Sequence, residues 1–308
     1  MKLFENPIST NFAESSRVLV MGAGGGFDIF AGLPIAFALE SMGKEVVLAN
    51  LSFSEIPDAA GPLGRVDADT RSPYEYFPEL YLSRWFREQG REVPVYCLAR
   101  EGFARVYQRM LAIVEETGVD SIVLVDGGTD ILMRGDEAGL GTPHEDIVSL
   151  LAASEFPFEK KLVACVGFGV DRYHGVCHAQ FLEGVAELSI AGAYLGSFSL
   201  LNDMPEAAMF RSALSFTHEY MPENPSIVNS AILASMEGKF AYTTVARGAS
   251  PWLSPLMGIY WCFDLNAVAK RVRYAKNITK TRTFTDVLRV IASHDSRREA
   301  KPWEDIPI

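Results

Sequence analysis

Short apolar runs alternate with longer segments of helical periodicity through the first 190 residues of the chain. That alternation predicts a parallel sheet covered by helices. Strands are predicted over 17–21, 45–49, 94–98, 121–125 and 162–167. An apolar helix follows the first of them to about residue 42, where Gly43 stops it, and further helices are predicted over 76–90, 101–117, 144–154 and 173–188. The helix over 101–117 has the clearest pattern, with Val106, Tyr107, Met110, Ile113 and Val114 at helical spacing and Gly118 at its end. Residues 52–75 read as a long polar loop rich in Pro, Gly, Asp and Ser, the kind of segment that often closes over a site. Beyond residue 190 the pattern weakens to helices over 224–236, 265–276 and 283–293 and strands over 240–245 and 259–263. The expected fold is a Rossmann-like three-layer α/β/α arrangement with a mostly parallel sheet. No linker interrupts it, so a single domain over 1–308 is expected, with a C-terminal subdomain from about 195 as the variant of that reading.

Composition narrows the function classes. The chain has 308 residues, 48% of them hydrophobic, enough for a large core. Its formal charge of −11 would repel a phosphate backbone, so no nucleic-acid partner is expected. Cys97, Cys165, Cys177 and Cys262 contain no C-x-x-C pair and read as reduced core thiols, which suits a cytoplasmic protein. The first residues are too polar for a signal peptide, and the charge-free run 29–39 is too short to span a bilayer, so no membrane partner is expected. A small-molecule substrate is expected, with homo-oligomer formation left open.

Three loops carry the candidate chemistry. The first strand runs into Gly22-Ala23-Gly24-Gly25-Gly26-Phe27-Asp28 and then a helix. Glycine lets backbone approach a phosphate or carboxylate, and the helix N-terminus offers free N–H groups and a positive dipole end. Gly22, Gly24, Gly25, Gly26 and Asp28 are therefore candidate cofactor-binding residues. The fingerprint G-x-G-x-x-G is not met, because Phe27 stands where its third glycine belongs. Asp28 beside a phosphate needs an intervening metal, or else caps the helix. The acid that holds ribose hydroxyls in a dinucleotide site is replaced by Asn50, which could still bond a sugar or a base.

The second loop is Asp126-Gly127-Gly128-Thr129-Asp130. Asp126 and Asp130 are the candidate metal ligands, for Mg²⁺, and candidate catalytic residues; Gly127, Gly128 and Thr129 would line the cofactor. A turn with Asp at its preferred positions explains the same residues without a ligand. The third loop is Gly167-Phe168-Gly169-Val170-Asp171. Gly167 and Gly169 join the cofactor candidates and Asp171 the catalytic ones. On a helix, Asp171, His174 and His178 would share a face, with Cys177 beside it, which raises His174 as a general base and a zinc pair as a weaker alternative. The basic run Lys270, Arg271, Arg273, Lys276, Lys280 and Arg282 reads as a solvated face, with phosphate contact as its alternative.

With its GxGGGxD loop at Gly22–Asp28 and its DGGxD loop at Asp126–Asp130, the chain resembles an uncharacterised family, a domain of unknown function found in archaea and bacteria. The resemblance covers about residues 15–290 and implies a Rossmann-like fold with no activity attached. A fainter likeness, carried by Gly22-Ala23-Gly24 and Gly32-Leu33-Pro34, is to sirtuin-type NAD-binding folds. The residues together lead to an enzyme with an ATP-like, Mg²⁺-dependent site that hydrolyses a metabolite or transfers a group to it. The alternatives are an NAD-dependent redox or glycosidic-cleaving enzyme, a hydrolase using no nucleotide, and a non-catalytic ligand-binding protein.

Overall fold

The computed structural model describes residues 5–306; residues 1–4 and 307–308 of the expected domain span lie outside it. In chain order the strands are β1 (Arg17–Gly22), β2 (Glu45–Ser52), β3 (Arg65–Val66), β4 (Val95–Ala99), β5 (Ser121–Asp126), β6 (Lys161–Cys165), β7 (Tyr194–Ser199), β8 (Ala241–Tyr242), β9 (Trp252–Leu253) and β10 (Ile259–Asp264). The helices are α1 (Pro7–Asn11), α2 (Asp28–Ser41), α3 (Pro78–Glu88), α4 (Phe103–Thr117), α5 (Pro143–Ser154) and α6 (His178–Ile190), followed by α7 (Pro205–Tyr220), α8 (Ile227–Met236), α9 (Leu265–Arg271), α10 (Ala275–Ile278) and α11 (Phe284–Asp295).

Eight strands form one sheet in the order β3-β4-β2-β1-β5-β6-β10-β7, with β8 and β9 paired apart from it. Strands β4, β2, β1, β5 and β6 run parallel, and β3 and β10 run antiparallel to their neighbours. The fold is α/β, Rossmann-like in three layers. Residue alternation along each strand separates two cores. Val18, Val20, Val123 and Val125 pack beneath α2, α3 and α7, while Leu19, Met21, Ile122 and Leu124 pack against α4, α5 and α6.

From β1 the chain builds outward to β2 and β4, then returns to add β5 and β6 on the other side. The order reverses between β1 and β5, which opens a crevice at their carboxyl ends, where ligands bind in open α/β sheets. The crevice is fixed by backbone: the Ala23 N–H donates to the Val125 carbonyl at 2.8 Å, just past the last pair of β1 and β5.

Three sequence expectations change. The helix expected over 173–188 is broken: a 3₁₀ turn covers Val170–His174, Gly175 follows at φ 87°, and α6 starts only at His178. A left-handed residue cannot continue a helix. The strand expected over 240–245 shrinks to β8, and the helix over 265–276 is divided into α9 and the start of α10. Strand β7 and helix α7 were not predicted. The first lies half exposed at the sheet edge, and the second buries small residues such as Ala207 and Ala213 beside Phe210, which weakens the apolar signal. The 52–75 segment is tied down in part, because β3 pairs with β4 and Asp69 pairs with Arg87.

Helix α2 is buried along most of its length and contains Pro34. Proline lacks the N–H that the Phe30 carbonyl would receive. One residue on, the Ala31 carbonyl accepts a hydrogen bond at 2.7 Å from the hydroxyl of Tyr260, a fully buried residue of β10. This bond ties the helix that opens the crevice to the far side of the sheet. Removing the hydroxyl in Tyr260→Phe is expected to lower unfolding stability by about 1 kcal/mol, read as a shift in urea midpoint at constant slope; an unchanged midpoint would mean the bond contributes nothing.

Candidate functional site

Four of the predicted acids meet in the crevice, together with a fifth that local pattern did not reveal. Asp28 opens α2, Asp126 ends β5, Asp130 follows in the next turn, and Asp171 sits after β6. The fifth, Asp146, lies in the first turn of α5. One carboxylate oxygen from each of Asp28, Asp126 and Asp146 lies within 4.8 Å of the other two. The expected metal pair was Asp126 with Asp130; the structure instead groups Asp126 with Asp28 and Asp146. Asp130 is held aside, its Oδ2 accepting from the Thr142 N–H at 2.7 Å and the Thr142 hydroxyl at 3.1 Å.

The other acids are held by backbone donors. Gly24 N–H donates to Asp28 Oδ2 at 2.6 Å, and Ile131 N–H to Asp126 Oδ2 at 3.2 Å. Thr129 donates to Asp171 Oδ2 from its N–H at 2.6 Å and from its hydroxyl at 3.2 Å. Asp146 differs: it is 4% exposed and its Oδ1 has no hydrogen-bond partner among the described residues. Asp28 therefore bonds back into the glycine loop and does not serve as the N-cap of α2, which is Phe27.

So many buried carboxylates cannot all ionise freely. Burial first, opposed by the Gly24 N–H and reinforced by Asp130, pushes Asp28 up to about 8. Burial, then Asp171, pushes Asp130 up to about 7. Asp126 is driven well above the usual carboxylate range by burial and by Asp146, and Asp146 by burial and by Asp130.

The glycines of the first two loops make room for these side chains. A β-carbon at Gly24 would lie 2.6 Å from Asp146 Oδ1 and 2.9 Å from Asp28 Oδ2. One at Gly127 would meet Asp28, and one at Gly128 would meet Asp171 and Asp126. On the far side of the first loop, Gly25 and Gly26 are covered by Phe53 and Tyr76, and Gly22 lies against Asn50. The third loop turns away from the acids: Gly167 faces Val170, Val228 and Ile232, and Gly169 lies near His178 and Met257.

With the helix broken at Gly175, the histidines separate. His174 is exposed at the mouth, its Nδ1 3.9 Å from Asp171 Oδ1, and Asp171 raises its pKa above the ordinary histidine value. His178 packs on Phe168 and is held below that value by burial, and the Cys177 thiol donates to the Glu304 carbonyl. In the basic run, Arg271 bonds Glu187 and Arg273 pairs with Asp136, both away from the five acids.

Asn50, expected near a ribose, is fully buried behind the loop. Its Nδ2 donates to the Gly26 carbonyl at 2.9 Å and to Glu79 Oε1 at 2.7 Å. Glu79, on α3, was not identified from sequence, and its Oε2 has no partner among the described residues. Burial, partly offset by the Asn50 bond, pushes it up to about 7. Its ordinary value is 4.5. The folded state therefore holds this proton more tightly, and stability falls as pH rises from about 4.5 to about 7, by at most about 3 kcal/mol. Glu79→Gln is expected to flatten that part of the stability–pH curve and to stabilise the protein at pH 8. Chemical denaturation of both proteins at several pH values checks this; parallel curves would refute it.

Comparison with known proteins gives one match. No curated protein and no solved structure matches the chain. A family model described as "Protein of unknown function (DUF1152)" matches residues 70–300. That span includes Asp126, Asp130, Asp146 and Asp171, while the first glycine loop and Asp28 lie outside it. Among the described residues, no helix is long and apolar enough to cross a membrane. With three quarters of its length matched, including four of the five acids of the crevice, the chain belongs to the DUF1152 family of proteins of unknown function.

Proposed function

We propose that this protein is a divalent-cation-dependent enzyme that hydrolyses a small metabolite or transfers a group to it. Mg²⁺ is the expected ion, and ATP or a related nucleotide is the first ligand to test. The observation that carries this reading is the orphaned Oδ1 of buried Asp146, converging with Asp28 and Asp126 at the reversal point of the sheet. A hard cation bound by carboxylate oxygens would relieve the repulsion of the cluster and give Asp146 Oδ1 its missing partner. It would also explain an aspartate in a loop otherwise suited to anions.

Asp28, Asp126 and Asp146 would hold the ion, which in such sites polarises a phosphoryl or carbonyl oxygen or activates water. Asp171 and His174, beside the cluster and reaching its mouth, would handle protons. Asp171 is aimed by Thr129, and His174 is positioned to exchange its proton with solvent. The NAD reading has less support, because Asn50 is engaged with Gly26 and Glu79.

A thermal-shift titration tests the cation first. Mg²⁺ or Mn²⁺ at about a hundred times its dissociation constant should stabilise the wild type by about 2.7 kcal/mol. Asp126→Asn and Asp146→Asn should each raise the stability of the cation-free protein, by removing a repelled charge, and abolish the cation shift. Asp130→Asn should keep most of it. The same screen with ATP, ADP and NAD⁺, with and without the cation, separates the nucleotide alternatives. A wild type indifferent to divalent cations would overturn the proposal.

A further inference from the structure

Between β1 and α2 the chain turns at Gly25, with φ 95°, and Gly26, with φ 59°. The two carbonyls that follow this turn are taken by side chains from distant elements. Asn50, on β2, donates from Nδ2 to the Gly26 carbonyl at 2.9 Å. Asn229, on α8, donates from Nδ2 to the Phe27 carbonyl at 3.2 Å. The next residue is Asp28, whose carboxylate reaches back to the Gly24 N–H at 2.6 Å and forward to the acids of the crevice. Two asparagines, 179 positions apart in the chain, thus hold the two peptides that carry Asp28 into the site.

Both side chains are themselves held. Asn50 and Asn229 are buried. Asn50 Nδ2 also donates to Glu79 Oε1 at 2.7 Å, and Asn229 Nδ2 also donates to the Ser226 hydroxyl at 3.0 Å. Ser226 is in turn the N-cap of α8, its hydroxyl accepting from the Asn229 N–H at 3.1 Å. Each amide nitrogen has two hydrogens and two acceptors, so its donors are fully used. Each Oδ1, by contrast, is buried with no hydrogen-bond partner among the described residues. An unpartnered buried oxygen costs stability, so filling space does not account for asparagine at either position. The donor accounts for it.

We propose that Asn50 and Asn229 are positioning residues that clamp the Gly26 and Phe27 carbonyls, aim Asp28 at Asp126 and Asp146, and thereby make the site prefer Mg²⁺ to Ca²⁺. The inference rests on the cation reading above and deepens it by naming what sets the choice of ion. Of the three acids grouped there, Asp126 ends a central strand and Asp146 lies on α5, which Ser149 docks against Ala23. Asp28 arrives on a turn of glycines, which are free to adopt other conformations unless the turn is tied. Mg²⁺ demands near-ideal octahedral geometry at about 2.1 Å, whereas Ca²⁺ accepts a flexible shell of oxygens at about 2.4 Å. A loosened turn therefore costs Mg²⁺ more than Ca²⁺.

The test uses the full chain, with Mg²⁺ and Ca²⁺ titrated separately by calorimetry, and amide hydrogen exchange of the cation-free protein. Asn50→Ala and Asn229→Ala should each weaken Mg²⁺ binding roughly fivefold or more, the effect of one lost hydrogen bond, and Ca²⁺ binding less than about twofold. Both should speed exchange over residues 24–30 while α4 keeps wild-type protection. Lower global stability alone leaves the ratio of the two affinities unchanged, so the ratio separates positioning from a merely structural role. Glu79→Gln, which keeps an acceptor for Asn50, should retain the wild-type ratio. If Asn50→Ala does not fold, Asn229→Ala decides alone. A wild type that binds the ions, with variants that keep its affinity ratio, would overturn the proposal. A wild type that binds neither ion would refute the cation reading and the ion preference with it. Local exchange then decides the clamp: faster exchange in the variants upholds it, and unchanged exchange overturns it.

Discussion

Five aspartates converge where a parallel sheet reverses its strand order, and burying their charges is the constraint on which the rest of the site depends. A carboxylate removed from water is costly unless it is protonated, hydrogen-bonded or paired with a cation. Asp28, Asp126, Asp130 and Asp171 each take backbone donors from neighbouring turns. Asp146 takes none at Oδ1. Among the described residues, Asp146 Oδ1 is the one oxygen of these five carboxylates that is buried without a hydrogen-bond partner.

The architecture around it follows from that need. β1 and β5 are locked side by side, with the Ala23 N–H on the Val125 carbonyl, so Asp28 and Asp126 arrive at the same height. The Ser149 hydroxyl, one turn along α5 from Asp146, donates to the Ala23 carbonyl at 2.8 Å and docks that helix against the loop. Gly24 can have no side chain because two carboxylate oxygens occupy the space. The glycines of the first two loops bring acids and backbone together, since a β-carbon at Gly24, Gly127 or Gly128 would meet a carboxylate.

The first glycine loop has carboxylates on one side, at Gly24, and the rings of Phe53 and Tyr76 on the other, at Gly25 and Gly26. The buried Glu79–Asn50 pair lies behind the same loop, and burial raises the Glu79 pKa to about 7. Packing of the loop is thereby linked to protonation at a point separate from the five acids.

Strand-to-loop grammar made much of this legible. An apolar run ending in glycines and then an acid is a local pattern, so Asp28, Asp126, Asp130 and Asp171 could be found from neighbours in sequence. The parallel sheet was legible for the same reason, because strand and helix periods differ along the chain. Asp146 and Glu79 were not. Each looks locally like an ordinary acid in the first turn of a helix, and only the packing of α5 and α3 buries them behind the glycine loop. The expected grouping of Asp171 with both histidines failed on one residue, because Gly175 at φ 87° ends the turn. The sequence by itself determined the layers, the crevice-forming loops and their acids, since these depend on local periodicity and turn chemistry. Only the tertiary structure decided which carboxylates lie together and which side chains cover the glycine loop, because burial and distance belong to the packed chain.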